Sequence, residues 1–236
     1  MDQKIIETIA FIPDGNRRYA QKEKVSFEES YSRGTKKSWD ILEWLVKYPK
    51  IKNGIFYTFS LKNFERDKIE TQILMQIFSK ELDSIKGKRL EFLKKNKIKL
   101  RFIGKKDLFS KPLQTKMNFV EELTAKNGFR TVYLAMGYDG QEEIIDAIND
   151  YVSDLADGKV SSNKLTIQKF RNYLYIPLEP DLVIRSSPEK RLSGFLTFQS
   201  AYTELKFIDK FWPELTEKDI DDAIKEFVER ERRFGK

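Results

Sequence analysis

Cysteine and histidine are both absent from this 236-residue sequence. Without cysteine the chain has no disulfides, no thiolate nucleophile and no cysteine-ligated zinc. Without histidine it lacks the commonest general base and the commonest transition-metal ligand. Any catalysis therefore rests on carboxylates, hydroxyls, amides, arginine or lysine, together with a hard cation.

Long apolar runs and linkers are also missing. No stretch approaches the roughly 20 apolar residues of a membrane-spanning helix. The opening residues, MDQKIIETIA, lack the basic-then-apolar order of a signal peptide. No segment rich in proline, glycine or serine divides the chain. We therefore expect a cytoplasmic protein with a single domain over residues 1–236.

Positive charge is in excess and unevenly placed. The net charge is +7, and residues 86–106 hold ten basic side chains and one acid, Glu91. No aromatic platform, zinc-finger spacing or arginine-rich tail accompanies them, so we expect no nucleic-acid partner. A solvated lysine face is the simplest interpretation. Because basic residues are attracted to anionic lipid, peripheral membrane association is a possible second use of this face.

Apolar periodicity alternates between strand-like and helix-like along the chain. Strands are predicted over residues 5–12, 53–60, 98–103, 130–136 and 182–185. Helices are predicted over residues 27–48, 70–96, 112–126, 140–156 and 166–175, with a last helix capped by Thr216 and Asp219. The predicted helix over residues 70–96 carries an apolar stripe made of Ile73, Leu74, Ile77, Phe78, Leu82 and Ile85. This order predicts an α/β fold whose central, mostly parallel sheet is flanked by helices, with ligands at the carboxyl ends of the strands.

The segment FIPDGNRRYA, residues 11–20, follows the first predicted strand directly. If a helix begins after Asp14, the free N–H groups of Gly15, Asn16 and Arg17 point toward an anion. Arg17 and Arg18 offer charged forks to phosphate oxygens, and Asp14 is a hard oxygen ligand suited to magnesium. The segment predicts a magnesium-assisted diphosphate site. The structural alternative is that Asp14 caps a helix and the arginines are solvated.

Polar clusters also follow two later strands. SLKNFERDKIE, residues 60–70, holds a hydroxyl, an amide, an aromatic ring, an arginine and a carboxylate, although such linkers are ordinary and Glu70 can merely begin a helix. RSSPEKRLS, residues 185–193, suits a second diphosphate, with solvation as the alternative. Glu204 lies in an apolar and aromatic stretch, where its carboxylate needs a cation, either a basic side chain or a metal near Asp14.

These motifs together resemble one family, the cis-prenyltransferases, of which undecaprenyl diphosphate synthase is the best-known type. IPDGNRRYA, FSLKNFER, DLVIRSSPEKRLSGFLTFQSAYTEL, WPELTEKD and RERRFG occur in the family's order over nearly the whole chain. The resemblance implies a hydrophobic tunnel between the sheet and the helices, and a homodimer. It implies Mg²⁺-dependent condensation of isopentenyl diphosphate with an allylic primer, farnesyl or geranylgeranyl diphosphate, to give a cis-polyprenyl diphosphate.

The family's residue roles transfer by motif. Asp14 helps to hold magnesium and the allylic diphosphate, and Glu204 matches the second acidic residue at the metal. The residues expected to bind the allylic diphosphate are Gly15, Asn16, Arg17 and Arg18. Those expected to bind isopentenyl diphosphate are Arg185, Arg191 and Ser193.

The loop and the C-terminus carry further roles by resemblance. Ser60 and Asn63 orient isopentenyl diphosphate or assist proton loss. Phe64 and Arg66, both expected to bind substrate, lie with Glu70 on a mobile loop that closes over the site. Arg233 with its neighbours Phe234 and Gly235 matches the tail that reaches the partner subunit's site.

The sequence departs from the usual bacterial pattern at several positions. Ser30 and Tyr31 replace a glycine-histidine pair, Phe64 replaces a tryptophan, and Ser187 and Pro188 replace a glycine pair. These changes favour an archaeal-like or otherwise divergent member. They leave open a member that makes irregular, non-head-to-tail products or uses another acceptor. A non-catalytic partner subunit is a further alternative, although such partners lose the first-motif aspartate and arginines.

Overall fold

A computed structural model describes residues 5–161 and 164–230. Its strands are β1 (Thr8–Ile12), β2 (Asn53–Ser60), β3 (Ile98–Ile103), β4 (Arg130–Tyr138), β5 (Leu182–Ser186) and β6 (Glu204–Ile208). Its helices are α1 (Asn16–Glu23), α2 (Phe27–Leu45), α3 (Lys68–Asp83), α4 (Gly87–Lys95), α5 (Lys111–Thr124), α6 (Gly140–Ala156), α7 (Ile167–Arg171) and α8 (Glu217–Glu229). A 3-10 segment, Leu61–Glu65, connects β2 to α3.

The six strands form one sheet in the order β3-β4-β2-β1-β5-β6, and each neighbouring pair is parallel. This confirms the predicted α/β class. β1 lies inside the sheet, and all five of its residues, TIAFI, are buried. A parallel strand covered on both faces reads as such a continuous apolar run. The carboxyl ends of all six strands therefore meet at one edge.

Each face of the sheet has its own apolar core. Phe11, Phe56 and Ile184 belong to the core that α2, α3, α5 and α8 cover. Ala10, Tyr57 and Val183 point to the opposite face and pack with Phe195 and Leu196. Because successive side chains of a strand alternate between faces, the same strands supply both cores. None of the helices in the two described ranges is both long and apolar enough to cross a membrane.

The predicted helix over residues 70–96 is wrong in one respect, because two helices occupy that span. α3 ends at Asp83 and α4 begins at Gly87. Between them Lys86 has extended backbone (φ −147°) and Gly87 has a φ of +50°, which favours glycine. The apolar stripe continues across this break because Ile85 is buried.

The predictions also missed α1 as a defined helix and β6 entirely. β6 is an edge strand of five half-buried residues, ELKFI, and its charged residues weaken the apolar pattern that identifies a strand. The helix predicted over residues 166–175 contracts to Ile167–Arg171, and the one over 27–48 ends at Leu45.

Candidate active site

Three polar segments meet where the strands end. Asp14 lies two residues after β1, Ser60 ends β2, and Arg185 lies in β5. Arg185 and Ile12 are register partners across the β1–β5 pair. All three side chains line one cavity of about 630 Å³. The three segments therefore converge at the carboxyl ends of the strands, where the sequence predicts ligands.

Asp14 forms hydrogen bonds with several residues at the polar mouth of this cavity. Its Oδ1 accepts from the Gly15 amide at 2.6 Å and from Arg18 Nη2 at 3.3 Å. Its Oδ2 accepts from Arg185 Nη2 at 2.7 Å. The Asp14 amide donates to Ser186 Oγ at 2.9 Å, which fixes the turn. The carboxylate is thus held by two guanidinium groups while its side chain remains 29% exposed toward the cavity.

The turn after Asp14 places the start of α1 against the cavity. Gly15 has a φ of 95°, and a Cβ there would clash with the ring of Phe211. Only glycine meets both constraints without strain. Asn16, the first residue of α1, is 8% exposed, and its Oδ1 is buried without a hydrogen-bond partner in the described part of the chain. This arrangement directs helix N–H groups and an amide toward the place where an anion would bind.

Arg185 is buried, with a side chain only 4% exposed. It donates to Ser193 Oγ at 2.8 Å and to the Arg191 carbonyl, in addition to Asp14. Arg191 and Ser193 also line the cavity. The second predicted diphosphate segment therefore lies beside the first, and Arg185 joins the two.

Glu189, which is not among the predicted site residues, contacts the cavity lining through Arg18. Its Oε1 accepts from Arg18 Nη1 at 2.5 Å, and its Oε2 accepts from Ser187 Oγ at 2.6 Å. Hydrogen bonds from Arg18 and then Ser187 lower its pKa to about 2. Its position between Arg185 and Arg191, two predicted substrate-binding residues, could have indicated Glu189 from the sequence alone.

The segment after β2 borders the same mouth. The Ser60 amide donates to Asn63 Oδ1 at 3.0 Å, and both residues line the cavity. Arg66 also lines it and donates to the Tyr31 hydroxyl at 3.1 Å. Burial is the largest cause of a raised pKa of Tyr31, so this hydroxyl is neutral at physiological pH and can accept.

Two further residues of this segment lie apart from the cavity lining. Glu70 pairs with Arg17 at 3.3 Å and so ties the first turn of α3 to α1. Phe64, expected to contact substrate, packs against Phe59 and Phe109 with ring centroids 4.8 and 5.3 Å apart and does not line the cavity. In this conformation of the segment Phe64 belongs to the core, because its ring faces an aromatic cluster.

Away from its polar mouth the cavity becomes an apolar tunnel. The side chains that line this part include Leu42, Leu74, Phe78, Leu82, Ile85, Leu100, Val132, Leu134 and Met136. They come from α2, α3, the α3–α4 break and the helix-covered face of β3 and β4. The predicted tunnel between sheet and helices is confirmed. Four members of the predicted stripe on residues 70–96 line it, namely Leu74, Phe78, Leu82 and Ile85.

The expectation that Asp14 and Glu204 hold one metal ion is wrong for a single chain. Glu204 begins β6 and is in register with Leu182, which pairs with Ile9 at the amino ends of the strands. Its Oε2 accepts from Arg230 at 2.9 Å, so a basic side chain supplies the cation. Within residues 5–161 and 164–230 no group of three or more acidic side chains is placed to hold a metal.

Asp14 alone still fits magnesium. Mg²⁺ is commonly held by one or two carboxylates together with substrate phosphates rather than by an all-protein cage. Asp14 presents its carboxylate at the cavity mouth, among the groups suited to phosphate. The remaining predicted substrate residue, Arg233, lies outside the described residues together with Phe234 and Gly235.

Comparison with known proteins gives a consistent result. The profile of the undecaprenyl diphosphate synthase family of prenyltransferases matches residues 12–235. A tritrans,polycis-undecaprenyl-diphosphate synthase (geranylgeranyl-diphosphate specific) from Thermoplasma acidophilum is 39% identical over 97% of this chain and 88% of its own. An isoprenyl transferase from Thermotoga maritima is 36% identical over 98% and 97%. The crystal structure of lavandulyl diphosphate synthase from Lavandula x intermedia, in complex with dimethylallyl diphosphate, aligns with a TM-score of 0.91 at 28% identity over 98% and 99%.

Proposed function

The chain belongs to the undecaprenyl diphosphate synthase family and is a prenyltransferase; from that membership and its site we propose that it extends an allylic prenyl diphosphate with isopentenyl diphosphate, with magnesium, to make a cis-polyprenyl diphosphate. One observation carries the proposal. The hydrogen-bonded Asp14 and Arg185 join two basic segments at the polar mouth of an apolar tunnel. Such a site accepts a diphosphate at its mouth and a hydrocarbon chain in its depth.

We assign one of the two substrates to each of the two neighbouring segments. The N-terminus of α1 with Arg17 and Arg18 suits the diphosphate of the primer. Arg185, Arg191 and Ser193 suit the diphosphate of isopentenyl diphosphate. Because Arg18 and Arg185 both contact Asp14, the two diphosphates would lie side by side. This proximity brings the allylic carbon close to the attacking double bond.

The reaction exchanges one bond for another. The allylic carbon–oxygen bond breaks, and its electron pair leaves with the diphosphate. The double bond of isopentenyl diphosphate supplies the electrons of the new carbon–carbon bond, and the proton lost in forming the cis double bond passes to the released diphosphate. Arg17 and Arg18 stabilise the negative charge that develops on the leaving diphosphate. Ser60 and Asn63 are assigned to orient isopentenyl diphosphate at the mouth.

Asp14 would hold magnesium together with diphosphate oxygens. The ion, when bound, neutralises part of the charge on the leaving group. A non-catalytic partner subunit is disfavoured because Asp14, Asn16 and Arg18 are all in place. We favour geranylgeranyl diphosphate over farnesyl diphosphate as primer, since the Thermoplasma acidophilum relative is named for that specificity.

A homodimer is part of the proposal. Three apolar side chains of α6, Ile145, Ile148 and Val152, are 52%, 41% and 54% exposed. Their i, i+3, i+7 spacing places them on one face of that helix, where a second copy can cover them. We also place the protein in the cytoplasm and peripherally at the membrane, since its proposed product is a lipid.

Product analysis tests this function. The purified chain is incubated with labelled isopentenyl diphosphate, magnesium and geranyl, farnesyl or geranylgeranyl diphosphate, with and without a chelator. We expect chain-extended cis products that require the metal, and that disappear in Asp14→Asn but persist in the surface control Asp157→Asn. Incorporation without chain extension points to another acceptor or an irregular product. No incorporation with any primer overturns the proposal.

A further inference from the structure

The amino ends of β3 and β4, opposite the polar mouth, lie beside a group of exposed lysines. Lys94 and Lys95 in the last turn of α4 are exposed, as are Lys86 and Lys88 near its start. Lys97 and Lys126 are exposed beside the amino ends of β3 and β4. We call the surface formed by the following residues the basal surface: Lys52, Lys86, Lys88, Lys94, Lys95, Lys97, Lys126 and Phe129.

Register between strands places this surface relative to the site. Leu100 of β3 pairs with Val132, and Val132 pairs with Gly54, which pairs with Ile9. This level is five residues below Asp14, or roughly 16 Å at about 3.3 Å per residue. Lys97 precedes β3, so the basal surface lies at the far end of the strands.

The basal surface also adjoins the end of the apolar tunnel. Ile85 and Leu100 line the tunnel, and Leu100 lies near the amino end of β3, three residues after Lys97. Lys86 follows Ile85 directly at the α3–α4 break. The hydrocarbon end of a bound chain would therefore point toward this surface.

Several lysines elsewhere in the described part of the chain, unlike the basal ones, are ion-paired. Lys80, Lys105, Lys106 and Lys116 each pair with a carboxylate. In the described ranges no such ion pair involves a basal lysine; Lys52 instead donates to the Pro49 carbonyl. A cluster of unpaired like charges repels itself, and an anionic surface relieves that repulsion.

Phe129 gives the basal surface an apolar point. Its side chain is 40% exposed, and its amide donates to the Lys97 carbonyl at 3.1 Å. The Lys52 ammonium lies 3.7 Å from the centroid of its ring. Exposed rings among basic side chains are typical of surfaces that rest in the headgroup region of a bilayer.

From these observations we propose that the basal surface docks on an anionic lipid bilayer, so that the far end of the tunnel faces the membrane. The orientation rests on the proposed function, because it gives a polyprenyl product a short route from the tunnel into lipid. A nucleic acid would match the charge equally, but it would not account for the position of the surface at the tunnel's end.

Vesicle flotation with the full chain tests the proposal. The probes are vesicles of phosphatidylcholine alone and of phosphatidylcholine with phosphatidylglycerol, at low and high salt. We expect binding only to the anionic vesicles, weakened by salt. The double variant Lys94→Glu, Lys95→Glu should lower the partition coefficient at least about 30-fold, since each lysine near an anionic bilayer contributes on the order of 1 kcal/mol.

The matched control is the double variant Lys169→Glu, Lys225→Glu. It makes the same change in net charge at exposed lysines of α7 and α8, away from the basal surface. It should bind as the parent does, and Phe129→Ala should bind less tightly than the parent. Equal losses in the two double variants mean that only net charge matters, and that overturns the proposal.

Two further measurements separate this proposal from the proposed function. Prenyl transfer in detergent without vesicles should be unchanged in Lys94→Glu, Lys95→Glu if the loss is confined to lipid docking. A parent chain that binds anionic vesicles but transfers no prenyl group refutes the function and leaves docking intact. A parent chain that binds an RNA oligonucleotide but no vesicles refutes docking, whatever its activity.

Discussion

Arg185 donates a hydrogen bond of 2.7 Å to Asp14, although 171 positions of sequence separate the two residues. Parallel pairing of β1 with β5 makes the contact possible, because it brings the ends of the two strands side by side. The contact gives Asp14 its orientation and leaves Arg185 with a neutralised, buried charge. One ion pair thus joins the segment that follows β1 to the end of β5.

Replacing Arg185 by lysine should disable the site while keeping its charge. A single ammonium cannot reproduce the planar fork that reaches both Asp14 and Ser193. We expect kcat/KM for prenyl transfer to fall about 100-fold or more. The control is Arg171→Lys. Arg171 lies on α7 and pairs with Glu179. Near-normal kinetics in Arg185→Lys would show that charge alone suffices there.

Glu189→Gln should change the dependence of stability on pH. The folded pKa of Glu189 is lowered to about 2, so its ionised form stabilises the folded state above the unfolded value near 4.5. This stability is lost as the pH falls from that value toward 2. Since Arg18 is partly exposed, we expect about 1 kcal/mol, or roughly 2–4 °C in Tm, at neutral pH.

Thermal melts of the parent chain and Glu189→Gln across acid and neutral pH check this. Their Tm difference should shrink as the pH falls below the unfolded pKa. Glu91→Gln, at an exposed glutamate of α4 with no ion pair in the described ranges, should show no such trend. A Tm difference that stays constant with pH would mean that Glu189 stabilises the fold by packing rather than by charge.

Much of the site could be predicted because its motifs follow strands. Asp14 comes after a continuous apolar strand, and Arg185 lies in another. In a parallel sheet that placement alone brings the residues to one edge. The tunnel could be expected from the family resemblance and from the apolar stripe that includes Leu74 and Ile85.

Other features depended on long-range structure. Glu204 is the first residue of β6, so it lies at the amino end of a strand, whereas Asp14 follows the carboxyl end of β1. Because β6 was not predicted, the sequence could not show that the two carboxylates lie at opposite ends of the sheet. Phe64 could face substrate or core, and the positions of Phe59 and Phe109 determine which. The partner of Glu189 is Arg18, 171 positions away, so no local pattern could reveal that pair.

Enlarging Val132 should shorten the product. Val132 is 4% exposed and lines the tunnel at the level of Leu100, well below the polar mouth. A phenylalanine there would fill space that the growing chain needs, while leaving the diphosphate groups untouched. We expect Val132→Phe to give shorter polyprenyl products with a similar rate for the first addition, and Val132→Ile to give a smaller shift. Unchanged product length in both variants would place the hydrocarbon elsewhere.

A single methyl group on Gly34 should disturb the site through Asn16. A Cβ at Gly34 would clash with Asn16 Oδ1 and come within 3.3 Å of Trp212 Cδ1. Because Oδ1 has no hydrogen-bond partner in the described structure, the Asn16 side chain is the group that yields. Gly34→Ala gains about 1 kcal/mol of helix propensity, which offsets part of the crowding, so Tm should change little. We expect kcat/KM to fall about 10-fold, because the displaced amide no longer faces the diphosphate.

Gly128→Ala, where a Cβ meets nothing within 4 Å, is the matched control and should leave kcat/KM unchanged. Full activity in Gly34→Ala would show that the orientation of Asn16 does not matter to the reaction.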